Sequence, residues 1–170
     1  LIADQTQAAS LPRANNRGQV RYIAIDLGDK RTGLAVGDPQ TRLVTPLSVL
    51  ESPVAVRGGE QLLEDLAKAI EEQVGPVVGG APAELVVGLP LNMDGTEGPR
   101  AKMAREFAAR LEKKTGRVVR FQDERLTSAA ADWGMARSGM TRGEKKAKRD
   151  ALAAGVVLRD FLEKLQSERE

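Results

Sequence analysis

A chain of 170 residues with an apolar fraction of 41% is sized for one domain built on one core. It has no cysteine and no histidine, which excludes disulfide frameworks, thiolate or imidazole zinc sites, cysteine nucleophiles and histidine general bases. The formal net charge is only +2 and 3% of the residues are aromatic, so a nucleic acid would be held by its phosphates rather than stacked on ring platforms.

Residues 1–18 are polar, rich in Gln, Asn and Ala, and without hydrophobic period, as expected of a disordered tail. The folded domain is expected over 19–166, with a short tail over 167–170. No apolar run reaches signal-peptide or membrane-span length, which predicts a cytoplasmic protein with no membrane partner. Short apolar runs predict strands over 20–27, 32–37 and 43–50, punctuated by Gly28, Gly33, Gly37 and Pro39. Leu62, Leu63, Leu66 and Ile70 fall at helical spacing, predicting a first helix over 56–73 that stops at Gly75 and Pro76. A fourth strand follows over 84–89. A second helix opens near Pro99, carries Met103, Ala104, Phe107, Ala108 and Leu111 on one face, and ends at Gly116. A fifth strand is expected over 117–122, a helix capped by Thr127 or Ser128 to about Ser138, and a last helix over 144–165. The order β-β-β-α-β-α-β-α-α implies an α/β fold whose mixed sheet starts as an antiparallel meander and grows by parallel crossovers.

Three carboxylates stand out. Asp26 closes the apolar run Tyr22-Ile23-Ala24-Ile25, where a charge is costly unless a cation compensates it; a turn aspartate is the other explanation. Glu124 lies where strand five gives way to a helix, at the sheet edge where open α/β folds build sites. Asp123 competes for that role, and a helix-start acid favoured by the macrodipole would also account for the position. Asp150 sits one turn before Ala154 at the head of the last helix's apolar stripe, Ala154, Val157, Leu158, Phe161 and Leu165.

Cations gather around these acids. Lys30 and Arg31 lie in the glycine-flanked hairpin 28–33, suited to gripping a phosphate, or else form a solvated tip. Lys145, Lys146, Lys148 and Arg149 sit at a helix start, where they oppose the dipole and where phosphate would offset that cost. The Gly/Pro-punctuated loop after strand four, with Asn92 and Asp94, is a ligand-binding candidate at the same edge, or a plain connector. Taken together, Asp26, Glu124 and Asp150 offer hard oxygen ligands of the kind Mg²⁺ or Mn²⁺ takes, and paired ions of this type hydrolyse phosphodiesters without histidine.

The segments DLGDKRTGLAVGD (26–38), VVGLPLNMDGTEGPRA (86–101), DERLTS (123–128) and KRDALAAGVVL (148–158) resemble the YqgF/RuvX family, Holliday-junction-resolvase-like nucleases linked to maturation of the 5′ end of pre-16S ribosomal RNA in bacteria. The resemblance spans about 20–165. It implies an RNase H-like fold with a five-stranded sheet in the order 3-2-1-4-5, strand 2 antiparallel, flanked by helices. It also implies a Mg²⁺- or Mn²⁺-dependent phosphodiesterase site on Asp26, Glu124 and Asp150. Related junction resolvases place a glutamate at the end of strand four, where this chain has Gly88-Leu89-Pro90. The second acid must then come from strand five, with Glu124 favoured and Asp123 and Asp94 as alternatives.

The expected protein is therefore a nuclease acting on structured RNA, most specifically precursor rRNA. Lys30, Arg31 and Arg125 would lie near the scissile phosphate, Asn92 and Asp94 in the adjoining loop, and Lys145, Lys148 and Arg149 on flanking backbone. A branched-DNA endonuclease on the same fold is the first alternative. A non-catalytic RNA-binding ribosome-assembly or transcription factor is the second, and an ATPase-like phosphate-binding domain ranks last. No dimer-forming seam is evident, so a monomer or weak homodimer is expected.

Overall fold

The structure is a computed structural model that describes residues 19–125 and 142–169. The tail expected over 1–18 and the helix expected from Thr127 or Ser128 to Ser138 lie outside the described residues, as do the side chains of Lys145 and Lys146.

Three strands come first: β1 (Arg21–Leu27), β2 (Thr32–Gly37) and β3 (Val44–Leu50). Then follow α1 (Glu60–Val74), β4 (Ala83–Leu89), α2 (Pro99–Thr115), β5 (Val119–Asp123) and α3 (Arg142–Ser167). The strands form one sheet in the order β3-β2-β1-β4-β5. β2 runs antiparallel to both β1 and β3, while β1, β4 and β5 are parallel. This is the order and strand polarity expected of an RNase H-like sheet.

Helices cover both faces, which is why β1 is buried on successive residues instead of alternating. Ile23, Ile25, Leu34, Leu85 and Val87 pack under Leu62, Leu66 and Ile70 of α1 and Ala104, Phe107 and Leu111 of α2. Tyr22, Ala24, Ala35 and Val86 pack under Ala154, Val157, Leu158 and Phe161 of α3. The second layer packs closely where its sheet residues are small: at Gly37 a methyl group would come within 2.9 Å of Leu158 Cδ2. β3 is an edge strand, so Pro46 is tolerated opposite Ala35, beside an irregularity in the β2–β3 register.

Several boundaries differ from expectation. Residues 56–59, read as the start of the first helix, form a separate 3-10 turn (Val56–Gly59) in which Arg57 and Gly58 take left-handed φ values of 51° and 64°. The glycine pair breaks the helix there, and α1 starts at Glu60. The last helix is described over Arg142–Ser167, which takes in two residues before its expected span and reaches into the expected C-terminal tail.

Arg117, expected in strand five, instead precedes it and is buried, at 6% exposure. Its guanidinium donates to the carbonyl of Gly75 at 2.9 Å and to those of Ala81 and Ala83 at 3.4 Å. It thereby satisfies the acceptors of the connection between α1 and β4. Arg117→Met removes the partner of those half-buried carbonyls and should cost roughly 1–3 kcal/mol, read as a lower urea midpoint at unchanged m.

Candidate active site

The carboxyl ends of β1, β4 and β5 meet at one edge of the sheet, together with the β1–β2 hairpin, the loop before α2 and the first turns of α2. Asp26 is the next-to-last residue of β1 and Gly88 the next-to-last of β4. Asp26 pairs with Gly33 of β2, and Gly88 with Gln122 of β5. The parallel register Ala24↔Val86 and Ile25↔Val87 sets Asp26 level with Gly88. Across the face covered by α3, Asp26 thus stands between two glycines.

Both gaps are filled from outside the row. At Gly33 the main chain of α3 comes so close that a methyl group would overlap the Asp150 carbonyl oxygen and lie 2.8 Å from its carbon. At Gly88 a methyl group would overlap Glu124 Oε1 and lie 2.6 Å from Cδ. Glu124 follows β5 directly, its amide bound to the Leu89 carbonyl at 3.2 Å, and its side chain reaches over β4 to hydrogen bond with the Asp26 carboxyl.

Two carboxyls can share a hydrogen bond only if one keeps a proton. Burial, then the Asp26 charge and the hydrogen bond to Asp26, push Glu124 up from its ordinary 4.5 to about 8. Burial likewise raises Asp26, the Asp150 charge adds to this, and the hydrogen bond from Glu124 opposes it. Arg100, in the first turn of α2, lowers both. Sequence reasoning missed Arg100. Its only signal was a cation directly after Pro99, where the helix dipole disfavours positive charge. Its guanidinium reaches the hairpin tip and pairs with Asp29 at 3.3 Å.

The other candidates are placed as follows. The Asp150 carboxylate pairs with Arg31, Nη1 to Oδ2 3.8 Å, and Arg31 Nη2 also lies 3.4 Å from Glu51 Oε1. Arg31 Nη1 is buried with no hydrogen bond of its own. Lys30 is exposed in the turn closed by the Gly28 amide and the Arg31 carbonyl at 2.9 Å. Asp123 is engaged by Arg125, whose Nε and Nη2 lie 2.8 and 2.7 Å from Oδ2, and which holds the carboxyl below its ordinary range. Arg125 Nη1 also reaches the Met93 carbonyl at 3.4 Å, tying β5 to the loop before α2. Within that loop Asp94 accepts from Thr96 N and Oγ1 at 3.0 and 2.6 Å, and Asn92 donates to Thr96 Oγ1 at 2.9 Å. Asn92 and Asp94 therefore shape the loop. Lys148 and Arg149 are exposed near the start of α3.

The structure brings Asp26 and Glu124 together and sets Asp150 beside them, its carboxylate turned to Arg31. Among the described residues no group of three such side chains is placed to hold a metal ion as it stands. The donor chemistry nevertheless fits a hard divalent cation. Mg²⁺ is commonly held by one or two carboxylates, with water and substrate phosphate completing its shell. A half-buried acid pair that retains a proton in the cation's place is such a donor set.

Several known proteins are similar to this chain. The profile of the RuvX family, described as Holliday junction resolvase, matches residues 20–164. A relative from Rhodobacter capsulatus is 36% identical over 158 residues, covering 93% of this chain and 89% of its own. One from Anaeromyxobacter dehalogenans (strain 2CP-C) is 41% identical over 145 residues, covering 85% of this chain and 98% of its own. Both are named "Putative pre-16S rRNA nuclease". Among solved structures, T. thermophilus RuvC in complex with Holliday junction substrate is 13% identical with a TM-score of 0.43, covering 82% of this chain and 95% of its own.

Proposed function

The chain belongs to the RuvX family, and from that premise we propose that it is a divalent-metal-dependent nuclease that hydrolyses phosphodiester bonds in the 5′-end processing of pre-16S rRNA. The observation that carries the reading is that Glu124 lies over Gly88 beside Asp26 at the carboxyl edge of the sheet, so that each acid perturbs the other. Curated relatives covering nearly all of the chain, with names that specify the RNA, supply the substrate class.

Asp26 and Glu124 would hold the ion, Mg²⁺ or Mn²⁺, with Asp150 as the third acid of the site. A bound divalent ion lowers the pKa of its water and neutralises charge developing on the phosphodiester. Arg31 holds the Asp150 carboxylate beside the pair. Arg100 and Lys30 present cations along the same edge, where the substrate backbone would enter. Arg125, anchored by Asp123, fixes the loop carrying Asn92 and Asp94 against β5. Lys145, Lys148 and Arg149 would follow the backbone further out. No helix among the described residues is long and apolar enough to cross a membrane, and with a ribosomal RNA precursor as substrate we infer a cytoplasmic protein acting as a monomer or weak homodimer.

Hydrolysis of a pre-16S 5′-leader RNA by the purified chain should require Mg²⁺ or Mn²⁺ and stop with EDTA. The family's description favours a second reading, cleavage of four-way DNA junctions. Both substrates should be compared at matched salt, because the phosphate contribution is common to them and salt-sensitive. Preference for the junction would replace the RNA assignment, and RNA binding indifferent to EDTA with no cleavage would replace the nuclease.

A further inference from the structure

We propose that Gly88 is a positioning residue of the acid site: its missing side chain is the passage through which Glu124, on the far side of β4, reaches Asp26. This rests on the nuclease reading for its consequence, though not for its geometry. Asp26 is on β1 and Glu124 at the end of β5, with β4 between them. Two interstrand spacings separate β1 from β5, roughly 9–10 Å, too far for neighbouring carboxyls to meet by chance of register.

Any side chain on the α3-facing side of β4 at this level would stand in the way. The row there is Gly33, Asp26, Gly88 and Gln122, and Gly88 is where the Glu124 carboxylate lies. Its backbone is not in the left-handed region, so an alanine is acceptable to the main chain and the conflict is with Glu124 alone among the nearest atoms. The same geometry explains why Glu124 and not Asp123 meets Asp26. Asp123 is in register with Leu89, one step further along, and is held by Arg125. It also makes the length of Glu124 a requirement, since an aspartate is one methylene shorter.

The test is a double-mutant cycle of Gly88→Ala in the native and Glu124→Ala backgrounds, read by Mn²⁺ binding in electron paramagnetic resonance and by thermal unfolding. In the native background Gly88→Ala should weaken Mn²⁺ binding by about tenfold or more and lower the unfolding temperature. Once Glu124 is truncated, the same substitution should change neither. Equal loss of unfolding temperature in both backgrounds, or unchanged Mn²⁺ binding in Gly88→Ala beside a wild type that binds, would overturn the proposal. A wild type that neither binds Mn²⁺ nor cleaves RNA defeats the nuclease reading instead, and the unfolding cycle still decides whether Gly88 makes room for Glu124.

Discussion

Asp26→Asn should lower metal-dependent RNA cleavage by roughly a thousandfold or more while raising the thermal stability of the metal-free protein. The two effects have one cause. Asp26 is the carboxylate whose charge and hydrogen bond help force Glu124 to keep its proton, so the fold retains a half-buried acid pair that is unfavourable in the absence of a cation. The amide of an asparagine has the same shape and donates to Glu124 without charge, which relieves that repulsion. In the proposed site it would also replace an anionic ligand with a neutral one, and charge compensation of the phosphodiester would be lost. A stability gain with loss of activity is the pattern expected where function maintains a strained site. Cleavage undiminished in Asp26→Asn would remove the acid pair from the mechanism. A lower unfolding temperature would show that Asp26 contributes structure beyond the pair.

Local pattern carries most of the fold. β2 coincides with its expected span because a buried run bounded by glycines can begin and end in few places. Asp26 is legible for a related reason: a carboxylate closing an apolar strand conflicts with its surroundings, and such conflicts cluster at functional sites. Glu124 and Asp150 are legible from the ends of their elements. That Asp150 turns its carboxylate to Arg31 is not, because the partner is over a hundred residues away in the chain. The role of Arg117 is invisible for the same reason, and Gly88 is legible only as the place where a strand-four acid is missing, not as the gap that Glu124 fills. The value of a cation between two expected elements, or of a glycine in an apolar strand, depends on which carbonyls or which acid the neighbouring strands bring to it. The helix start at 56–59 failed locally, since apolar spacing does not register that Arg57-Gly58-Gly59 adopts left-handed conformations.

Glu124 also fixes how pH should act, and in opposite senses on the two forms of the protein. Its value in the fold is raised from 4.5 to about 8, so the fold favours the neutral acid. The stabilisation this gives is complete below about pH 4.5, the value without the fold, and is lost as pH rises through about 8. Metal-free protein should therefore lose unfolding temperature across that window, and Glu124→Gln, which cannot ionise, should lose less. Ligation has the reverse dependence, because Glu124 must release its proton before both carboxyls can serve as ligands. Apparent affinity for Mn²⁺ should climb with pH up to about 8, at most about tenfold per unit, and level off above it. Titration calorimetry near neutral pH, in two buffers of different ionisation enthalpy, should show about one proton released per ion bound. Mn²⁺ affinity that is flat between about pH 6 and 8, with no proton released, would mean that the ion does not displace the proton shared by Asp26 and Glu124. The acid pair would then be a feature of the fold alone, and the ligands would have to be sought elsewhere.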